Sequence, residues 1–190
     1  MSITGEIMKN KLLKGSIIVI MLVLFLISVA SMVSAEDNSD SDLSILTLSK
    51  GGITIKYPSN WGVSEATSNY SIMAISKLDS VDSFGVGQVN VLVEKKPIDG
   101  DFASFVNESY KSMEKDTSFQ LVSSGGVTID GKEAYEYVYT SNQNGVEREH
   151  KAVWFEKGGQ AYVIMYSAPL DQFEDNLKVF DYILSEIQIT

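Results

Sequence analysis

The stretch GGQAYVIMYSAP, from Gly158 to Pro169, decides the fold. Glycine adopts positive φ without steric penalty, so the Gly158-Gly159 pair predicts a tight hairpin turn rather than a ligand loop. The apolar run Ala161–Ser167 predicts a strand that is covered on both faces. Pro169 predicts the first turn of a final helix, because its fixed φ suits that position.

Two amphipathic helices are indicated by apolar residues at helical spacing. In the last part of the chain such residues recur at intervals of four and three: Phe173, Leu177, Phe180, Leu184 and Ile187. An earlier segment follows Asp101, which suits a helix N-cap, and carries a similar stripe: Phe102, Phe105, Val106, Tyr110 and Met113. We interpret both stripes as core packing.

The rest of the chain predicts short strands separated by turn signals. Gly51-Gly52 and Asn144-Gly145 mark tight hairpins. Val86–Glu94 alternates between apolar and polar residues, which predicts a partly exposed strand. The predicted strands before the final one are Ile45–Leu48, Ile53–Tyr57, Ile72–Leu78, Val86–Glu94, Phe119–Ser123, Val127–Ile129, Glu133–Ser141 and Glu147–Glu156.

The hairpin at Asn142–Gly145 fixes which side chains share a face. Its cross-strand pairs have residue numbers that sum to an odd value, because the loop holds two or four residues. One face therefore carries Tyr135, Tyr137, Tyr139, Arg148, His150, Ala152, Trp154, Val163 and Met165, and the other carries Val138, Val153, Phe155, Tyr162, Ile164 and Tyr166. Both faces need cover, which predicts an α+β domain: an antiparallel sheet flanked by helices.

The three tyrosines are the most suggestive surface feature. Tyr135, Tyr137 and Tyr139, with Arg148 and His150 at their edge, form a candidate binding patch for a protein or a small ligand. The alternative is that the tyrosines are covered by a helix, and we favour this alternative because the sheet must pack against something on that face.

The N-terminus has the three parts of a secretory signal. Lys9, Lys11 and Lys14 precede an apolar run over residues 17–33, which ends in Val33-Ser34-Ala35. The small residues favour cleavage after Ala35, but the run is also long enough to remain as a membrane anchor. In both cases the remainder is exported, either secreted or held at the extracytoplasmic face of the membrane. Membrane contact is expected only through residues 17–33, if they are uncleaved.

Composition narrows the classes of partner and site. Removing residues 1–35 takes away three of the 15 basic residues and one of the 25 acidic residues, which leaves a net charge of −12. Such a surface repels phosphate backbones, so nucleic acid is not an expected partner. The chain has no cysteine, which excludes disulfides, a thiol nucleophile, a cysteine-bound metal and a lipid-modified cysteine.

Residues 36–44, EDNSDSDLS, have little to bury and predict an acidic disordered linker before a domain over residues 45–190. Asp37, Asp40 and Asp42 do not make an EF-hand loop, because the required glycine and glutamate are absent. Asn69-Tyr70-Ser71 and Asn107-Glu108-Ser109 match the N-glycosylation sequon, whose use depends on the organism.

No catalytic constellation stands out in the sequence. His150 is the only histidine, its neighbours Glu149 and Lys151 point to the other face, and no G-x-S-x-G motif occurs. Phe84-Gly85-Val86-Gly87 is a lone G-x-G, which is too short to indicate a nucleotide site. A carboxylate pair of the glycosidase type stays open, although no pair of acids can be singled out.

The sequence resembles the PsbP-like family in two blocks. One is ITIKYPSNW, Ile53 to Trp61, and the other runs from Trp154 through GGQAYVIMYSAP to FDYILSEIQI, which ends at Ile189. The resemblance covers roughly Leu43 to Thr190 and implies an α/β/α sandwich. The family's namesake is a non-catalytic lumenal subunit of photosystem II that helps to retain calcium and chloride, so the resemblance also implies weak calcium binding.

We therefore expect a non-enzymatic extracytoplasmic domain that acts as an accessory or binding module, with a protein or small-ligand partner at the cell envelope and no cofactor. The alternatives are a secreted hydrolase that uses an unlocated carboxylate pair, and a structural envelope protein.

Overall fold

The computed structural model describes residues 43–64, 68–143 and 145–190. The predicted signal or anchor, residues 1–35, lies outside these ranges, and so does most of the predicted linker, residues 36–44. The helices of the described part are not long and apolar enough to cross a membrane.

The described residues form ten strands and two α-helices. Helix α1 is Phe102–Met113 and helix α2 is Phe173–Ser185. The strands are β1 Ile45–Lys50, β2 Ile53–Pro58, β3 Trp61–Ser64, β4 Ser71–Lys77, β5 Asn90–Pro97, β6 Gln120–Ile129, β7 Lys132–Gln143, β8 Val146–Lys157, β9 Gln160–Pro169 and β10 Gln188–Ile189.

Seven of these strands form one antiparallel sheet in the order β3-β4-β5-β9-β8-β7-β6. Gly158 and Gly159, at φ 58° and 69°, close the β8–β9 hairpin as predicted. The predicted face assignment is confirmed, because Tyr139 pairs with His150, and Ala152 pairs with Met165. The α+β class and the antiparallel sheet flanked by helices are confirmed.

Each face of the large sheet has its own core. On one face, α2 and the small sheet β1-β2-β10 bury a cluster that includes Phe155, Ile164 and Phe180. On the other face, α1 covers a second cluster around Trp154, in which Tyr110 is also buried. The side chain of Asp101 caps α1 by accepting a hydrogen bond from Ser104 N at 2.9 Å, as the sequence predicts.

Two local predictions are wrong. Pro169 does not open the final helix: its ψ of 144° is extended, it pairs with Arg148, and the short 3₁₀-helix Leu170–Gln172 separates it from α2. The predicted strand Val86–Glu94 is not partly exposed, because β5 begins at Asn90 and lies between β4 and β9. The polar members of its alternation, including Glu94 at 0% exposure, are therefore buried.

Long-range pairing also adds structure beyond the predicted elements. The predicted strands Phe119–Ser123 and Val127–Ile129 belong, except for Phe119, to a single strand, β6, because pairing with β7 continues through the glycines between them. Strands β3 and β10 were not predicted. Strand β10 pairs with β2, and the side chain of Asp130 also accepts a hydrogen bond from Ile189 N at 2.8 Å.

Candidate functional site

A loop with many internal hydrogen bonds, Val81–Gln88, follows β4 and the short 3₁₀-helix Leu78–Ser80 and leads into β5. We call it the Phe84 loop. Asp82 organises it, because its Oδ1 accepts hydrogen bonds from the backbone N–H of Phe84 and Val86, both at 2.9 Å. The backbone of Asp82 adds two more bonds, to Val86 O and from Gly85 N, both at 3.0 Å. The loop backbone is therefore fixed by local bonds.

Phe84 lies in this loop with its ring in solvent. Its side chain is 81% exposed, more than any other large hydrophobic residue that the structure describes. The adjacent Gly85 has φ 80°, a conformation that glycine adopts at low cost. Because the backbone is held by these bonds, the exposed ring can enter an apolar pocket of a partner with little ordering of the loop.

Arg148 anchors the base of the loop from inside the protein. Its Nη1 donates to Gln88 Oε1 at 3.2 Å, and its Nη2 donates to the Gln88 carbonyl oxygen. Gln88 Nε2 in turn donates to Asp82 Oδ2 at 2.9 Å, which continues the chain of bonds into the Phe84 loop. On its other side the guanidinium donates to Ser167 Oγ through Nε at 3.1 Å and Nη2 at 3.0 Å.

The Arg148 side chain is buried, at 4% exposure, and all of these acceptors are uncharged. Burial lowers the pKa of the Arg148 guanidinium to about 10, so the group stays protonated at neutral pH. Within the described residues no carboxylate lies at salt-bridge distance from it. Because its hydrogen bonds run to Gln88 on one side and to Ser167 on the other, the Arg148 guanidinium ties the Phe84 loop to β9.

His150 lies in a buried position beside Tyr139. The two rings stack at 4.6 Å, and Ser141 Oγ shares a hydrogen bond of 2.9 Å with Nε2 of the imidazole. The Nδ1 atom has no hydrogen-bond partner among the described residues. Burial, and then the charge of Arg148, lower the pKa of His150 to about 3, so the ring is neutral at physiological pH.

This geometry bears on catalysis, because a serine at hydrogen-bond distance from a histidine is the start of a nucleophile–base pair. A competent pair also needs a group that orients the imidazole, and a base whose pKa lies near the working pH. The described surroundings of His150 supply neither. The arrangement of Ser141 and His150 therefore favours a packed polar pair within the sheet.

The predicted patch of tyrosines is largely covered by α1. Tyr137 stacks on Tyr110 at 3.8 Å and donates from its hydroxyl to Asn107 Oδ1 at 3.1 Å. Tyr139 is buried and donates to Met165 Sδ at 3.3 Å, and burial raises its pKa. Tyr135, packed against Phe102, keeps 36% exposure.

The structure thus brings Tyr135, Tyr137, Tyr139, Arg148 and His150 to one face, and of these only Tyr135 is exposed. Ligand binding at this patch stays a prediction.

On the opposite face, a groove of about 190 Å³ lies between α2 and strands β6 to β8. Lys151 in this groove contacts two carboxylates, Glu136 at 3.2 Å and Asp181 at 3.1 Å. Burial acts to lower the pKa of Lys151, but the bonds and charges of Asp181 and Glu136 outweigh it and raise the pKa. The groove is thus crossed by an ion-pair network that ties α2 to the sheet.

No group of three or more histidine, aspartate or glutamate side chains in the described ranges is placed to hold a metal ion. Calcium binding stays a prediction from the resemblance. Both asparagines of the sequons, Asn69 and Asn107, are exposed, and glycosylation of either stays a prediction.

Sequence patterns alone do not reveal the Phe84 loop as a site. Phe84-Gly85-Val86-Gly87 stands out there only as a short glycine motif. The available signal was Asp82, since an aspartate two residues before a turn residue predicts a side-chain bond to the backbone. The link from Gln88 to Arg148 crosses 60 residues of sequence, and no local pattern indicates it.

Solved structures of other proteins share this fold, among them CyanoP and LpqN. The cyanobacterial PsbP, CyanoP, from Synechocystis sp. PCC 6803 aligns with a TM-score of 0.58 at 17% identity, over 82% of this chain and 98% of CyanoP. LpqN, involved in cell envelope biogenesis of Mycobacterium tuberculosis, aligns with a TM-score of 0.57 at 18% identity, over 80% of this chain and 93% of LpqN. At these identities the likeness concerns the fold alone.

A search of curated proteins by sequence finds no match. A family model described as PsbP-like protein matches residues 16–189, nearly the whole chain. The resemblance that the sequence suggests is thereby confirmed, and the chain belongs to the PsbP-like protein family.

Proposed function

We propose that this protein is a non-enzymatic accessory binding module of the cell envelope, and that it binds a partner protein through Phe84. The exposure of the Phe84 ring on a hydrogen-bonded loop carries the proposal. The signal-like N-terminus, with export of residues 36–190, supports the location. The fold shared with LpqN, a protein involved in cell envelope biogenesis, is consistent with it.

The Phe84 loop suits recognition because little order has to be gained on binding. Its backbone bonds to Asp82, and the anchor from Arg148 through Gln88, already exist in the free protein. Association loses less conformational entropy when the binding segment is preorganised. Burying an aromatic ring in an apolar pocket of the partner then contributes most of the binding free energy, as at other interface hot spots.

The chemistry of the partner follows from the loop and the net charge. The partner needs an apolar pocket that accepts a phenyl ring. The chain carries a net charge of −10, so a basic rim around that pocket would speed the encounter and make it sensitive to salt.

Replacement of Phe84 tests the proposal. The wild-type 190-residue chain and F84A are produced in cells of the source organism, and proteins that co-purify after mild cross-linking are compared. We expect F84A to lose a partner that the wild type retains, with an unchanged far-UV circular dichroism spectrum. The matched control is L170A, which removes another exposed apolar side chain and is expected to keep the partner.

The same preparations separate the alternatives. A hydrolase would turn over a substrate panel and lose activity in E136Q, D181N or S141A, whereas a binding module shows no turnover that these changes abolish. If the protein were a structural component of the envelope, the wild type and F84A would remain in the envelope fraction to the same extent. Retention of every partner by F84A would contradict the proposed role of Phe84.

A further inference from the structure

The outer edge of β6 lacks the residues that usually prevent strands of different molecules from pairing. Strand β6 is ten residues long and ends the seven-stranded sheet, and no strand among the described residues pairs with its outer side. Its sequence, QLVSSGGVTI, contains no charge and no proline, the residues that usually protect an edge. The opposite edge strand, β3, has only four residues.

The irregular part of β6 is confined to one end. Its pairing with β7 shifts between Leu121 and Ser123 and is regular from Ser123 to Ile129. Leu121 and Val122 remain exposed at 46% and 59%. A regular segment of this length, with exposed apolar residues beside it, offers a row of backbone donors and acceptors to an incoming strand.

The pattern of β6 is self-complementary in the antiparallel sense. Four small residues, Ser123 to Gly126, lie at its centre, with Leu121-Val122 before them and Val127 after them. A two-fold axis at Gly125 places Ser123 of one copy opposite Val127 of the other, and Ser124 opposite Gly126. An added Cβ at Gly125 or Gly126 would meet nothing within 4 Å, so the face of the sheet is open at both positions.

Charge bears on where two copies of the chain can meet. Two copies of a chain with net charge −10 repel each other over most of their surfaces. Strand β6 adds no charge of its own to this repulsion. Residues that lie opposite each other in an antiparallel pair must point to the same face of the continuous sheet. Pairing of Gly125 with Gly125 of the second copy, on the two-fold axis, satisfies this condition.

We propose that β6 pairs with β6 of a second copy of this chain, antiparallel about Gly125, so that the two large sheets become one. This inference does not depend on the proposed role of Phe84, which lies on a different connection of the sheet. A dimer would carry two Phe84 loops. A partner with two sites would then bind more tightly, because its second contact forms within the same complex at a high effective concentration.

The absence of cysteine from the chain permits a direct test. The whole chain carrying G125C is oxidised mildly in the membranes or medium of the cells that produce it. If Gly125 meets its own copy, the two Cα atoms lie within disulfide range, and a covalent dimer forms. The control is E108C, an exposed position on α1, which is expected to stay monomeric. Equal cross-linking of G125C and E108C would overturn the proposal.

Charge substitution at Ser124 provides the second arm, because the two copies of residue 124 lie on the same face, diagonally across the Gly125 pair. Sedimentation of the whole chain in mild detergent should show a concentration-dependent wild-type dimer, and S124K and S124E should each weaken it about two- to fivefold. An equimolar mixture of S124K and S124E should restore it, and neutral S124T should retain it. A monomeric wild type, or a dimer that S124K leaves intact, would overturn the proposal.

Discussion

The guanidinium of Arg148 and the side chain of Gln88 meet inside the protein, with Nη1 donating to Oε1 at 3.2 Å. This contact joins β8 of the large sheet to the loop that presents Phe84. Since Gln88 also bonds to Asp82, one buried cation fixes the base of an exposed recognition segment.

Replacing Arg148 by methionine should loosen the Phe84 loop, although no residue of the loop itself is changed. R148M leaves Ser167 Oγ and the Gln88 carbonyl oxygen without their donor, so we expect a loss of roughly 1–3 kcal/mol in the free energy of unfolding. Hydrogen exchange at the amides of Phe84 and Val86 should accelerate at least about tenfold, since local opening becomes easier. Denaturant unfolding and exchange mass spectrometry measure the two effects.

The matched control for that change is K111M, which places methionine at an exposed basic position of α1. It should leave both measurements unchanged. Unaltered exchange in the Phe84 loop of R148M would contradict a positioning role for Arg148.

His150 should make the fold sensitive to acid. The pKa of its imidazole is about 3 in the folded protein, below the ordinary value of 6.5 that applies to the unfolded chain, so the unfolded chain binds the proton first as the pH falls. The contribution of a neutral His150 to stability is therefore present above about pH 6.5 and is lost as the pH falls toward 3, by about 1.4 kcal/mol per unit.

Comparison with H150F isolates this effect, because phenylalanine keeps a ring against Tyr139 and does not titrate. Between about pH 7 and about pH 4.5, wild type should lose up to roughly 3 kcal/mol more stability than H150F in urea unfolding. Parallel pH dependences of the two proteins would show that His150 is not held neutral by burial.

Tyr110 and Trp154 should act as a coupled pair beneath α1. The indole Nε1 of Trp154 donates to the Tyr110 hydroxyl at 2.9 Å, and both side chains are buried. Y110F leaves that indole N–H without an acceptor and should cost about 1–3 kcal/mol in the free energy of unfolding. In a W154F background the same change should cost less, because no donor remains. Additive costs in the double-mutant cycle would exclude this coupling.

The sequence was informative where local chemistry and strand parity determine the structure. The Gly158-Gly159 turn, the Asp101 cap and the common face of Tyr139 and His150 follow from neighbours in the chain or from the two-residue period of a strand. The helix that covers the tyrosines was also favoured correctly, because an apolar face of a sheet must be packed.

The remaining features depend on contacts between distant residues. The alternation in Val86–Glu94 did not reveal that β5 is a central strand, since a buried polar residue such as Glu94 has the same sequence signature as an exposed one. Pro169 extends β9 because pairing with Arg148 outweighs its preference for a helix start. The anchoring of the Phe84 loop could not be predicted either, because it depends on the bond between Arg148 and Gln88, which sequence periodicity does not encode.

Photo-cross-linking from position 84 probes recognition through Phe84 without relying on a loss of binding. A benzoylphenylalanine replaces Phe84 in the whole chain, and a second chain carries it at Leu170, which is also exposed. Irradiation in intact cells should give a discrete adduct with one envelope protein from position 84, and no such adduct from position 170. The same adducts from both positions, or none from position 84, would contradict recognition through Phe84.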